Sequence, residues 1–228
     1  MEIRFLTGHD ATLYRSIRLE ALECEPEAFG SSVDEFSALT LDDIAARLSA
    51  DSLNNFVVGA FADARLLGTA GFFRDKGLKE RHKGHIWGVH VTREARGKRA
   101  AHEMLRALLD RAATIEGIEQ IMLLVATTQI AAVQLYRSFG FESYGCERRA
   151  LKVGDRYVDE EHLVLYLDPS AARRSRSRPI KKAPVTFQSR TPRQPSPRTA
   201  NHEMDTKELL ILCKRHFGNG DLAVSTPD

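Results

Sequence analysis

The amino-acid sequence predicts an α/β fold in which a mixed β-sheet is flanked by helices. The first observation is the order of apolar periodicities, β-α-α-β-β-β-α-β-α-β-β, which fits neither an all-β barrel nor a strictly alternating array. The second is a strand near Val89 that runs into a basic, glycine-containing loop and then into a helix. With 228 residues, 43% of them hydrophobic, the chain can bury a core of domain size.

The chain is expected to open with a strand and a helix. Glu2–Thr7 alternates polar and apolar residues, which is typical of a half-buried strand. Asp10 is suited to cap a helix that runs to about Leu22 and ends before Pro26. The apolar face of this helix is expected to contain Leu13, Ile17 and Ala21.

The middle of the chain predicts a second helix and three strands. The helix begins near Thr40–Asp43, and its apolar side is formed by Ile44, Ala45 and Leu48. Two strand-like runs, Phe56–Phe61 and Leu66–Phe73, are joined by a short turn at Ala62–Arg65 and predict a hairpin. After a polar loop, β-branched residues predict a third strand at His85–Val91.

The second half of the predicted domain begins with a helix after the basic loop. This helix is expected to reach about Glu116, with Gly117 as its C-terminal stop. The remaining elements are a strand at Ile118–Val125, a helix at Ala131–Ser138 ended by Gly140, and a hairpin of Ala150–Val153 and Tyr157–Leu167 around Gly154-Asp155. The domain is therefore expected to end near residue 168.

The stretch from Val89 to Leu105 has the features of an anion-binding site. A loop that enters a helix N-terminus presents unpaired backbone N–H groups at the positive end of the helix dipole. Three side chains add positive charge suited to a pyrophosphate: Arg96, Lys98 and Arg99. A solvated basic turn is the alternative, but the helix start behind the loop favours a phosphate-bearing ligand.

Three common phosphate-binding motifs are absent. The loop does not contain G-x-G-x-x-G, so the dinucleotide fingerprint is missing. Gly97-Lys98 is not followed by Ser or Thr and lacks the preceding P-loop glycine, which argues against an NTPase. The protein-kinase motifs are missing as well.

Cysteine usage and the N-terminus indicate the expected compartment. Cys24, Cys146 and Cys213 are far apart and have no metal-ligand spacing, so we expect reduced thiols, no metal and no disulfide. Met1–Phe5 lacks the apolar run of a signal peptide, and no stretch approaches membrane-spanning length. These observations predict a cytoplasmic protein without a membrane partner.

The composition changes after Pro169. Residues 169–200 are rich in Pro, Ser and Arg, and from 170 to 200 they include nine Lys or Arg and no acid. Such a segment cannot bury a core, so a disordered basic linker is expected. A solubilising role is favoured over a contact with nucleic acid. Residues 201–228 form a short amphipathic segment, whose stretch Met204–Leu222 is similar to the opening helix of SnoaL-like domains.

Two motifs carry a resemblance to a known superfamily. Arg96-Gly97-Lys98-Arg99-Ala100-Ala101 resembles Arg/Gln-x-x-Gly-x-Gly/Ala, the acetyl-CoA signature of the GNAT acyltransferases. Arg99 stands where the family has glycine, so it can crowd the pyrophosphate or place a cation over it. Downstream, Gln129–Phe141 resembles Asn-x-x-Ala-x-x-Leu-Tyr-x-x-x-Gly-Phe, with Gln129 at the asparagine. The resemblance covers residues 1–168, about the whole predicted domain.

The resemblance implies a specific fold and cofactor. The fold is a mostly antiparallel mixed sheet of six to seven strands with about four helices, in which two central strands splay apart into a cleft. Acetyl-CoA is the implied co-substrate. The residues implied to bind it are Val89, His90, Val91, Arg96, Gly97, Lys98, Arg99, Ala100, Ala101, Gln129, Ala132 and Tyr136.

The resemblance also implies catalytic groups. Tyr136 is the implied acid that protonates the leaving CoA thiolate. The attacking amine must lose a proton, and the strand before the loop offers no carboxylate; its titratable groups are His85 and His90. A base acting through water is the alternative. Because side chains alternate along a strand, His90 is expected on the face of the sheet opposite that of Val89 and Val91, unless a bulge intervenes.

The function implied is that of an N-acetyltransferase, which moves acetyl from acetyl-CoA to a primary amine. Neither motif contains cysteine, so direct attack within a ternary complex is expected rather than an acyl-enzyme. A CoA-binding regulatory module with weak or no catalysis is the alternative. The acceptor is not specified by the sequence, and a homodimer is compatible with it.

Overall fold

The computed structural model describes residues 1–49 and 53–167. The expected basic linker and C-terminal segment, residues 169–200 and 201–228, lie outside the described residues. Seven strands form a single sheet: β1 (Glu2–Phe5), β2 (Asn55–Ala62), β3 (Arg65–Arg74), β4 (Lys83–Val91), β5 (Gln120–Ala126), β6 (Glu142–Val153) and β7 (Arg156–Tyr166). The α-helices of the described residues are α1 (Ala11–Cys24), α2 (Val33–Ser37), α3 (Leu41–Ser49), α4 (Ala100–Ala112) and α5 (Ile130–Ser138).

The predicted fold class is confirmed. The sheet has the order β1-β2-β3-β4-β5-β7-β6 and is antiparallel except where β4 pairs with β5. Consecutive strands are neighbours from β1 to β5, and the final hairpin adds β7 before β6. The mixed sheet flanked by helices therefore follows the element order that the sequence predicted.

The sheet separates two apolar cores because side chains alternate along each strand. One core packs α4 and α5 on residues such as Val58 and Phe72, both fully buried. The other packs α1 and α3 on residues such as Val57 and Phe61. Because helices pack on both faces of the sheet, the central strands that border the cleft are held in place from both sides.

Several predicted element details differ from the structure. Leu13 was expected on the buried face of α1 but is 39% exposed, because the buried stripe follows the helical spacing of Tyr14, Ile17, Arg18 and Ala21. The helix α4 ends at Ala112 rather than near Glu116, and turns continue to Gly117, which has a φ of +80°.

Two elements were missed by the sequence interpretation. The short helix α2 follows a capping box, in which Ser32 and Glu35 satisfy each other's backbone N–H groups. Strand β6 begins at Glu142, eight residues before the predicted Ala150. Most of its early residues are exposed and polar, so no apolar alternation marks them.

The feature that shapes the middle of the sheet is the short contact between β4 and β5. Their parallel pairing is confined to three residue pairs, from Lys83 opposite Gln120 to His85 opposite Met122. Beyond His85 the two strands diverge, as the family resemblance implied. A bulge at Gly88, with a φ of +61°, bends β4 at this point.

The β2–β3 turn offers a test of backbone strain. Asp63 and Ala64 have φ values of +49° and +63°, as a two-residue type I′ turn requires. A β-carbon is unfavourable there, so Ala64→Gly is expected to raise the free energy of unfolding by about 1 kcal/mol. Chemical denaturation measures the change. In the control Ala62→Gly, glycine lies within β2 and should lower stability; no gain for Ala64→Gly would contradict the assigned turn.

Candidate active site

A cavity of about 550 Å³ occupies the space where β4 and β5 diverge. Its walls are the ends of both strands, the loop before α4, the first turn of α4 and one face of α5. A side wall comes from the end of α1 and the segment after it, through Glu25, Ala28 and Phe29. The cavity thus joins the two sequence motifs, which are about thirty residues apart in the chain.

One end of the cavity is formed by the loop before α4 and the first turn of that helix. Gly97 and Arg99 both have positive φ values, +75° and +63°, and they turn the chain into the helix. Arg99 is the N-cap residue of α4 and makes no side-chain cap. The first N–H groups of the helix have no intrahelical partner, and residues 99–102 line this end of the cavity, so these N–H groups are suited to donate to phosphate oxygens.

The three basic side chains of the loop have different surroundings. Arg96 donates from Nε to the carbonyl of Val91 at 3.2 Å, and from Nη2 to the Glu25 carboxylate. It therefore ties the loop to β4 and α1. Arg99 lines the cavity with a 73% exposed side chain. Lys98 is exposed and does not line the cavity.

Arg99 provides a test that separates backbone strain from charge. Replacing Arg99 by Ala removes the cation but keeps the β-carbon at positive φ, whereas Gly removes both. Arg99→Gly is expected to be about 1 kcal/mol more stable to denaturant than Arg99→Ala. Both variants should bind acetyl-CoA equally well, because they have lost the same charge. A weaker affinity of Arg99→Gly than of Arg99→Ala for acetyl-CoA would contradict the interpretation that the loop already has the conformation that binds acetyl-CoA.

The long side of the cavity presents an unpaired strand edge. After His85, β4 has no pairing with β5, while its other edge stays paired with β3 through His90 and Val91. Gln129, the N-cap residue of α5, faces this edge together with Ala132 and Tyr136 of the same helix. A strand-like ligand arm can lie along such an edge and accept its backbone hydrogen bonds.

Tyr136 lies in the floor of the cavity. Its residue is 6% exposed, and its ring packs edge-to-face on Phe141 with centroids 5.9 Å apart. Burial raises the pKa of the Tyr136 phenol above its ordinary value of 10. The hydroxyl group is therefore protonated at neutral pH and is available as a proton donor.

The two candidate histidines are in different places. His85 is hydrogen-bonded through Nε2 to the Asp75 carboxylate, which accepts, at 2.9 Å, and it stacks on Phe73 with ring centroids 4.8 Å apart. It does not line the cavity, so the structure does not bring it to Tyr136.

His90 does line the cavity. It lies beside Glu20 and Glu25 on the α1 side of the sheet, whereas Val89 and Val91 pack on the core under α4 and α5, so the alternation expected for these three residues is kept after the bulge at Gly88.

Two carboxylates that the sequence interpretation did not single out lie beside His90. Glu25 Oε2 is 3.5 Å from His90 Nδ1, and Glu20 Oε1 is 4.0 Å from His90 Nε2. Burial lowers the pKa of His90, and these two carboxylates oppose that shift only in part. The imidazole is therefore neutral near pH 7 and can accept a proton.

No local pattern in the sequence could have identified these carboxylates. Glu20 is in the last turns of α1 and Glu25 is the C-cap residue of that helix, about sixty residues before β4 begins. Their position beside His90 depends on the packing of α1 against the sheet.

Within residues 1–49 and 53–167, no three His, Cys, Asp or Glu side chains are grouped as metal ligands would be. No helix in this part of the chain has the length and apolarity needed to cross a bilayer.

An α/β fold with a splayed sheet, an anion-binding loop and a free strand edge defines an enzyme class that binds acyl-CoA. The family model described as "Acetyltransferase (GNAT) family" matches residues 16–141. The chain belongs to this family, and it is an acetyltransferase that uses acetyl-CoA.

Several solved structures share this fold at low sequence identity. A GNAT-family acetyltransferase from Streptococcus pneumoniae is 20% identical, with a TM-score of 0.66 over 73% of this chain and 99% of that chain. A putative acetyltransferase from Salmonella typhimurium, solved with its cofactor acetyl-CoA, is 21% identical, with a TM-score of 0.61 over 74% and 94%.

A ribosomal-protein-alanine N-acetyltransferase from Brucella melitensis is 20% identical, with a TM-score of 0.63 over 73% of this chain and 100% of that chain. No protein of curated function matches the sequence. At these identities, the structural likeness establishes the shared fold only.

Proposed function

We propose that this enzyme transfers the acetyl group of acetyl-CoA to a primary amine by direct attack within a ternary complex. The observation that carries the proposal is one cavity that contains the α4 anion site, the free edge of β4, and the buried pair of Tyr136 and His90. The free cysteines of the described residues, Cys24 and Cys146, are exposed and do not line this cavity. An acyl-enzyme route therefore has no nucleophile there.

The proposed roles follow the order of proton movement. A primary amine is mostly protonated at neutral pH, and neutral His90 accepts its proton while Glu25 stabilises the imidazolium that forms. The amine then attacks the thioester carbonyl, whose developing oxyanion is stabilised by a backbone N–H at Val89 or His90. As the carbon–sulfur bond breaks, the Tyr136 hydroxyl donates its proton to the CoA thiolate. The nitrogen of the new amide loses its second proton, which returns to the tyrosinate directly or through water.

The binding residues proposed for acetyl-CoA divide along the cavity. The backbone at 97–101 holds the pyrophosphate, the edge at Val89 and Val91 pairs with the pantetheine arm, and Gln129 and Ala132 cover that arm from α5. Arg96 contributes by fixing the loop, because its guanidinium is already bonded to Glu25 and Val91.

Release of free CoA thiol over a panel of primary amines tests the proposed reaction. Transfer requires that thiol release depend on the amine and that mass spectrometry find the acetylated product. Thiol release without any amine product, or tight acetyl-CoA binding with no turnover on any amine, would contradict the proposed transfer and favour a CoA-binding regulatory module.

Removing the Tyr136 hydroxyl is expected to slow the chemical step. Tyr136→Phe should lower kcat by about 10²–10⁴-fold, the range for loss of a general acid, and should leave the affinity for acetyl-CoA unchanged. Steady-state kinetics and isothermal titration measure the two quantities. Tyr166→Phe, at an exposed position on β7, is the matched control. Unchanged turnover in Tyr136→Phe would exclude the phenol as the acid.

The pH dependence of kcat/KM tests His90 as the base. Because burial lowers the pKa of His90, its neutral form persists below pH 6.5, and the acid limb of the profile is expected below that value. His90→Gln should reduce kcat/KM and abolish this limb, whereas His85→Gln, which alters a group outside the cavity, should retain it. An unchanged limb in His90→Gln would assign the titration to another base or to water.

A further inference from the structure

The wall of the cavity near His90, here called the acceptor side, has behind it an arginine that does not itself line the cavity and that has no anionic partner among the described residues. Arg18 lies on the buried face of α1, and its residue is 7% exposed. Its Nη1 atom is buried and has no hydrogen-bond partner among the described residues. An ionised group in such a position is unfavourable unless an opposite charge or a full set of hydrogen bonds accompanies it.

The surroundings of Arg18 are aromatic rather than acidic. Its guanidinium carbon lies 4.5 Å above the ring of Phe29. The buried phenol of Tyr14 is its neighbour on α1, and within the described residues no carboxylate forms an ion pair with Arg18. Stacking on Phe29 compensates for part of the desolvation, but it leaves the N–H donors at Nη1 without an acceptor.

The position of Arg18 connects it to the cavity. Phe29 and Gly88 both line the cavity wall, and Arg18 lies directly behind them. Nη1 is 3.8 Å from the place where a β-carbon on Gly88 would be. Gly88 has a positive φ and no side chain, so the guanidinium of Arg18 lies against the bare backbone at the bend in β4.

Carboxylates, opposite in charge to Arg18, lie a short distance along the same wall. His90 is two residues after Gly88, or about 6–7 Å along a strand, and Glu25 and Glu20 are beside it. The acceptor side thus combines an unused cation near Gly88 with carboxylates near His90. This arrangement complements a small molecule that has an ammonium group at one end and an anionic group a few ångströms away.

We propose that the acceptor is a small primary amine that also carries a carboxylate, as a free amino acid does, and that Arg18 binds this carboxylate. The inference rests on the proposed function, because it names the substrate class for the same site. A guanidinium matches a carboxylate with two parallel hydrogen bonds, and the apolar surroundings of Arg18 strengthen that pair. The amine is then presented to His90.

Matched substrate pairs test the proposal with the full-length enzyme. Each pair consists of an amino acid and its decarboxylated amine, for example lysine with cadaverine and phenylalanine with phenethylamine, assayed by CoA thiol release and product mass. The native enzyme is expected to favour the carboxylate member by at least about tenfold in kcat/KM, the effect of one hydrogen-bonded charge pair.

The variant Arg18→Met keeps an apolar side chain of similar length over Phe29 but has no charge. It is expected to raise KM for the carboxylate member by about 10–100-fold, with a smaller change in kcat, and to leave the decarboxylated member within about twofold. Arg106→Met, at an exposed arginine on α4, is the control and should leave both members unchanged. Retained acetyl-CoA binding shows that the fold is intact; if Arg18→Met does not fold, Arg18→Lys replaces it and is expected to lower the preference.

The outcomes distinguish this inference from the function on which it rests. Transfer to amines with no preference for the carboxylate member would overturn the inference and leave the proposed function standing. If Arg18→Met lowers kcat/KM equally for the amino acid and for its decarboxylated amine, Arg18 has a packing role alone. A carboxylate preference that is unchanged in the variant would place recognition elsewhere. No transfer to any amine would overturn both.

Discussion

The structure depends on the early end of the pairing between β4 and β5. In a parallel pair buried on both faces, each lost rung leaves backbone N–H and C=O groups without partners, and such groups are costly away from water. Here the pairing stops at His85 because β4 bends at Gly88, where Thr69 Oγ1 donates to the Gly88 carbonyl at 3.3 Å. The unpaired edge is exposed to a cavity instead of being covered, and it is supported by β3 behind it.

A second constraint acts at the end of that edge. The chain must turn from β4 into α4 within a few residues, and it does so with two residues at positive φ. Arg96 fixes the turn through bonds to Val91 on β4 and to Glu25 at the end of α1. Because Glu25 also lies beside His90, the anion loop, the strand edge and the proposed base share one set of contacts. A shift of α1 would therefore move all three.

The sequence predicted those parts of the site that are local in the chain. The loop at 96–101 and the segment Gln129–Phe141 are continuous motifs, so their resemblance to the signatures of the family implied a CoA site and a role for Tyr136. Glu25 and Arg18 were not predicted to be functional because their importance arises from where α1 packs against the sheet. Leu13 illustrates the same limit: its apolar character fits helical spacing, but the tilt of α1 buries Arg18 in preference to it.

The wrong element boundaries also have physical causes. The predicted end of α4 at Glu116 relied on Gly117, which does have the left-handed conformation of a helix stop but terminates a series of turns rather than the helix. Strand β6 is formed by pairing with β7, not by its own apolar pattern, so its first eight residues could not be recognised. For β6, therefore, tertiary pairing outweighs local propensity.

Amide hydrogen exchange with and without acetyl-CoA tests the central claim most directly, because the claim concerns backbone groups. If the free edge of β4 and the α4 loop hold acetyl-CoA, its addition should slow exchange in peptides that cover residues 86–91 and 97–101, while peptides from β6 should remain unchanged. Equal exchange at 86–91 and 97–101 with saturating acetyl-CoA, or protection confined to another part of the sheet, would contradict the account.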